Sequence, residues 1–158
     1  MKKLVFIFFF YFNYSHAYEI YCNFEEVYHD SNTQNGFLLI KNDKVRYEYL
    51  DEKLYTIVSN GKNIYLVHNI DTEIVRKIDK NTNYFETVMN ILKNFPIIEN
   101  SYIDRDLLIR VEKNTKNFYK RISIKSDNLK LSIHFYDCEY LKIDDKYFRH
   151  FNFIKYEK

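Results

Sequence analysis

The sequence predicts a mainly β, antiparallel fold with one short helix. Three observations predict it: runs of strict apolar–polar alternation, an Asn-Gly turn between two such runs, and one stretch where the apolar spacing becomes helical. Val45, Tyr47 and Tyr49 alternate with Lys44, Arg46 and Glu48, and Leu129, Leu131, Ile133 and Phe135 alternate with Lys130, Ser132 and His134. Successive strand side chains point to opposite faces, so this alternation gives each strand one buried and one solvated face. Further strands are expected at residues 20–28, 37–41, 54–59, 63–68, 73–78, 107–113, 118–125 and 147–156. Asn60-Gly61 separates two of them. That dipeptide tolerates the left-handed backbone of a two-residue hairpin turn, so positive φ is expected at both positions.

The helical stretch is local. Tyr84, Phe85, Val88, Ile91, Leu92 and Phe95 recur at helical spacing, with Asn83 and Glu86 placed as N-cap and third helical residue. Pro96 limits this helix at Phe95, because the residue before a proline is pushed out of the helical region. The result is a short amphipathic helix whose apolar stripe packs against a sheet. At 158 residues the chain has room for one domain with one core. No repeat, low-complexity tract or linker interrupts it, so one domain is expected from Tyr18 to the C-terminus.

The first seventeen residues have a different character. Lys2 and Lys3 precede an apolar run from Leu4 to Phe12, and Ser15-His16-Ala17 places small residues where a signal peptidase reads. Nine apolar residues at 1.5 Å per residue reach about 14 Å as a helix, less than half of a roughly 30 Å hydrocarbon core. Residues 1–17 are therefore expected to be a cleaved signal peptide, and the mature chain to begin near Tyr18 in an export compartment. The residues before Cys22 are Glu19-Ile20-Tyr21, which do not suit lipidation of that cysteine.

Cleavage changes the charge balance. The full chain has 24 Lys and Arg against 22 Asp and Glu. Removing Lys2 and Lys3 leaves 22 against 22, so the mature chain lacks the basic footprint of a nucleic-acid binder. Cys22 and Cys138 stand near opposite ends of the mature chain. In an oxidising compartment they can close a disulfide or remain as two buried thiols. No Cys or His pair has metal-ligand spacing, so no metal site is expected.

Catalytic constellations are sparse. Among the histidines of the mature chain, only His29 beside Asp30 and His134 near Cys138 offer local partners for base or nucleophile chemistry. The nucleophile elbow, zinc-helix signature and haem-attachment motif are absent, and two glycines leave almost no room for a phosphate-cradling loop. Neither an enzyme nor a cofactor is expected. Aromatics reach 19%, but Tyr and Phe share AT-rich codons with the abundant Lys, Asn and Ile, so composition alone does not argue for a ligand.

A more specific signal runs from Gly36 to Ile78. Gly36-Phe37-Leu38-Leu39-Ile40-Lys41, then Lys44-Val45-Arg46-Tyr47-Glu48-Tyr49, then Tyr55-Thr56-Ile57-Val58-Ser59-Asn60-Gly61-Lys62-Asn63-Ile64-Tyr65 resemble the outer-membrane lipoprotein carrier (LolA) family. That family shows a Gly, an aliphatic strand, a basic-Pro turn, an aromatic strand and an Ile-Val-x-Asp-Gly-Lys hairpin in this order. Cys22-Asn23-Phe24-Glu25-Glu26 is similar to its first strand, and the stretch from Tyr84 to Phe95 falls where it places a lid helix.

The resemblance implies an incomplete antiparallel β-barrel whose concave apolar face, under a lid helix, receives lipoprotein acyl chains in the periplasm. It implies an inner-membrane transporter as donor and an outer-membrane protein as acceptor. The acyl cavity and lid would be formed by Val45, Tyr47, Tyr49, Val88, Ile91, Leu92, Phe95, Leu131 and Ile133. Lys41 and Asn42 would stand at the basic-Pro turn, which here is one residue shorter and lacks both Arg and Pro. The long helix that precedes the first strand in that family is nearly absent, which implies a less completely covered cavity. A half-barrel that docks to an envelope partner without transporting lipid is the alternative.

Overall fold

The computed structural model describes residues 18–78, 84–104 and 106–149. The expected signal peptide, Asn83, His150 and most of the strand expected at 147–156 lie outside these residues. The described chain forms ten strands in one antiparallel sheet. They are β1 (Glu19–Tyr28), β2 (Thr33–Lys41), β3 (Lys44–Tyr49), β4 (Tyr55–Ser59), β5 (Ile64–His68), β6 (Val75–Lys77), β7 (Ser101–Asp104), β8 (Leu107–Lys113), β9 (Tyr119–Lys125) and β10 (Lys130–Tyr140). One helix, α1 (Tyr84–Lys93), separates β6 from β7.

The strand order is β6-β5-β4-β3-β2-β1-β10-β9-β8-β7. Two hairpin meanders are therefore stitched together where β1 pairs with β10, and β6 and β7 form the two edges of a sheet that does not close. The chain leaves one edge after β6 and re-enters at the other with β7, so α1 lies in a connection that links the two edges. The helix packs its Val88, Met89, Ile91 and Leu92 onto one face of the sheet. Tyr119 of β9 donates a hydrogen bond to the Ile91 carbonyl at 2.7 Å, and Thr87 bonds Asp104 on β7.

The alternation read from the sequence sets which face this is. Val45, Tyr47 and Tyr49 of β3 point into the main core with Leu38 and Ile40 of β2 and Leu131 and Ile133 of β10. Lys44, Arg46 and Glu48 point to the other face, where Arg46 Nε donates to Glu48 at 2.6 Å. A small second core there gathers Leu39, Ile143 and Phe148, as the segment after β10 folds back over β1, β2 and β3.

Gly36 is required by a close approach. It pairs with Phe24 on one side and Tyr49 on the other. An added Cβ would fall 2.1 Å from the Glu48 carbonyl oxygen and 2.2 Å from the Phe24 ring. The missing side chain lets Phe24 lie over β2 and stack on Tyr47 with ring centroids 3.9 Å apart.

The structure corrects the sequence reading at several points. The β4–β5 hairpin is present, but Asn60 bonds Asn63 and the two central residues are Gly61 and Lys62, one position later than expected. Only Gly61 has positive φ, at 91°. The Asn60 side chain accepts from the Lys62 and Asn63 amides, which favours Asn60 as the flanking residue. A Cβ on Gly61 would also meet the Asp43 carboxylate at 2.2 Å. Gly61→Val should therefore lower the urea midpoint by an amount equivalent to about 2 kcal/mol. An unchanged midpoint would show that this turn is not formed in solution.

The helix ends at Lys93 rather than Phe95, and residues 94–96 continue as a turn in which the Asn94, Phe95 and Ile97 amides donate to the Ile91, Leu92 and Asn94 carbonyls. Tyr147 and Phe148 belong to a 3-10 helix, Asp145–Phe148, rather than to a strand. The side chain of Asp144 accepts from the Lys146 amide at 2.9 Å and so caps that turn. Strand β7 carries no alternation in its sequence, because its two apolar residues, Tyr102 and Ile103, are adjacent and only one can face the core; Ile103 is 82% exposed. Strand β2 begins at Thr33, earlier than expected, and β10 runs on to Tyr140 through a bulge where Asp137 has φ 50°.

Candidate functional site

The inward row of β1 reads Ile20, Cys22, Phe24 and Glu26. Three apolar residues are thus followed by a carboxylate that is only 1% exposed. A buried carboxylate costs several kcal/mol unless its oxygens are hydrogen-bonded. Here Oε1 accepts from the hydroxyls of Tyr47 at 2.7 Å and Tyr49 at 3.0 Å, and Oε2 accepts from Tyr28 at 2.6 Å. Tyr84, the first residue of α1, brings a fourth phenol beside Tyr28. Strand alternation on β1 and β3 and the start of α1 are what bring these five side chains together.

Burial raises the Glu26 carboxyl above its usual range, against the three phenol hydrogen bonds that pull it back. Burial also holds the Tyr28, Tyr47, Tyr49 and Tyr84 hydroxyls well above the ordinary tyrosine range, with the Glu26 charge adding to the effect. These phenols stay protonated through the acid and neutral range, so Glu26 is the group of this cluster that titrates there. A carboxyl raised on folding contributes stability that is fully present below its unfolded pKa and is lost as pH rises through its folded pKa. The stability of the parent minus that of Glu26→Gln should therefore fall as pH rises from acid toward neutral. Urea unfolding of both proteins across that range measures it, and a difference that rises with pH would reverse the assigned sign.

Beside this cluster lies a pocket of about 720 Å³, within the range that holds small ligands. Leu54, Ile57, Leu66 and Phe85 supply apolar wall, Tyr28, Tyr49 and Tyr55 supply aromatic wall, and Asp30, Asn32, Thr33 and Gln34 form a polar rim. A smaller polar cleft of about 340 Å³ lies between α1 and the β4–β5 turn, lined by Lys62, Lys77, Glu86, Asn90 and Lys93 among others.

The residues expected to form an acyl cavity are brought together, mostly as packed core. Val45, Tyr47, Val88, Ile91, Leu92, Phe95, Leu131 and Ile133 are all buried in one cluster, and of the expected set Tyr49 also lines the pocket. Lys41 points to the opposite face, donates to the Ile143 carbonyl at 2.7 Å and pairs with Glu19 and Asp145, while Asn42 turns the β2–β3 hairpin with φ 53°. The basic residue at this turn therefore ties down the segment after β10.

Cys22 and Cys138 form a disulfide across β1 and β10. Cys138 thus presents no thiol to His134. His68 Nδ1 accepts from the Ile70 and Asp71 amides and shapes the loop after β5. The Glu26 cluster and the pocket walls at Leu54, Ile57, Leu66 and Phe85 were not singled out from sequence. For Glu26 a signal existed, since the parity of Ile20, Cys22 and Phe24 directs Glu26 inward.

No protein-family model matches the chain, and no curated protein matches its sequence.

Proposed function

We propose that this chain is a periplasmic carrier, similar in design to the outer-membrane lipoprotein carriers, in which an incomplete barrel and the lid helix α1 shield lipoprotein acyl chains. The observation that carries this reading is the apolar-walled pocket between the unclosed sheet and the start of α1. An acyl chain of about fifteen methylenes loses on the order of 12 kcal/mol in water at ~0.8 kcal/mol per methylene, so a soluble carrier needs apolar surface of this kind. The tail lies along Leu54, Ile57, Leu66 and Phe85, and a longer chain gains room when α1 swings away from Val45 and Tyr47. Cargo arrives from an inner-membrane transporter and passes to an outer-membrane acceptor.

Displacement of an apolar fluorescent probe by a fatty-acylated peptide tests this directly. The parent should bind the acylated peptide and not its unacylated form. Leu66→Asp should weaken binding about tenfold or more, because an unpaired carboxylate then faces the chain. A parent that binds neither the probe nor the acylated peptide would end the carrier reading.

A further inference from the structure

The pocket wall is one-sided in charge as well as apolar. Among its described lining residues the charged one is Asp30, fully exposed at the rim, whose carboxyl is held below the usual range chiefly by the Asn32 amide. Behind the wall lies Glu26, whose oxygens accept hydrogen bonds from the hydroxyls of Tyr28 and Tyr49, both pocket residues, and of Tyr47. Tyr28 also receives the Tyr84 hydroxyl, so these phenols link the Glu26 carboxylate to the pocket wall in one polarised hydrogen-bond network. Tyr28, Tyr49 and Phe85 line the same pocket, and an aromatic ring attracts a cation over its face.

We propose that this pocket selects amphiphiles with an organic ammonium head, the head set against Tyr28 and Tyr49 in front of Glu26 and the tail along Leu54, Ile57 and Leu66. The choice of head deepens the carrier reading, on which it rests for the pocket being a ligand site. A carboxylate or phosphate head meets the repulsion of the Glu26 and Asp30 charges, and a neutral head gains nothing from either. Aromatic cages backed by a carboxylate favour ammonium groups for this reason, and desolvation inside the pocket strengthens the attraction.

Three probes of equal chain length separate these contributions: dodecyltrimethylammonium, dodecyldimethylamine N-oxide and dodecanoate, titrated calorimetrically below their micelle-forming concentrations at slightly alkaline pH. The ammonium and the N-oxide differ by little more than charge. The ammonium should bind about tenfold or more tightly than the N-oxide, and dodecanoate most weakly. Glu26→Gln should bring the first two affinities together. Asp30→Asn, at the exposed rim, should narrow the gap and keeps the test open if Glu26→Gln does not fold. Equal binding of ammonium and N-oxide by the parent, or tighter binding of dodecanoate, would overturn this inference and leave the carrier reading standing. A gap that survives intact in folded Glu26→Gln would overturn the role of Glu26. Binding of none of the three would overturn the carrier reading together with it.

Discussion

Leu92→Glu should lower the unfolding free energy by about 4 kcal/mol or more. Leu92 is wholly buried on the sheet-facing side of α1, in the same cluster as Val45 and Tyr47. Replacing a buried Leu by a small residue already costs about 2–5 kcal/mol, and an uncompensated carboxylate adds several more. The charge can escape only if α1 leaves the sheet, which would expose Val88, Met89 and Ile91 with it. Urea unfolding followed by circular dichroism measures the loss. A variant as stable as the parent would show that α1 is already detached in solution. That outcome would favour a freely moving lid over the packed helix described above.

Removal of the disulfide should have an effect of similar size. It joins residues 116 apart, and closing a loop of that length removes about 4–5 kcal/mol of chain entropy from the unfolded state. The bond also crosses the β1–β10 seam, where the two meanders meet. The double variant Cys22→Ala, Cys138→Ala should therefore unfold at a markedly lower denaturant midpoint, and reductant should shift the parent toward it. The double variant itself should be insensitive to reductant. A parent midpoint that does not move on full reduction would show that the seam is held by the β1–β10 ladder and the core beneath it alone.

Much of the fold was legible in the chain because strand alternation is a local property. Val45, Tyr47 and Tyr49 face the core as their spacing predicts, as do Leu131, Ile133 and Phe135 on β10. The helix was legible for the same reason, since six apolar residues at helical spacing need one apolar surface to cover them. The errors fall where local signals compete with contacts distant in sequence. The Asn60-Gly61 pair suggested a turn centred on itself, yet the five β4–β5 pairs, the last setting Ser59 opposite Ile64, move the centre to Gly61-Lys62. Tyr147 and Phe148 looked like strand residues by composition, but Phe148 packs with Leu39 and Ile143 on the outer face, and Asp144 supplies the cap of a short helix.

The candidate site was the least legible part. Glu26, Tyr28, Tyr47, Tyr49 and Tyr84 come from β1, β3 and α1, and their meeting depends on which strands pair and where α1 crosses. A glutamate next to another glutamate in a strand reads as a solvated pair, and only its parity hinted otherwise. By itself, the sequence determined the mainly β class, the inward faces of the strands and the amphipathic helix, because each follows from the spacing of neighbouring residues. Only the tertiary structure decided that Cys22 joins Cys138, that Lys41 serves the outer face, and that Glu26 lies among tyrosines beside a pocket. These depend on register between distant strands, since a slip of one residue would turn every one of these side chains to the other face.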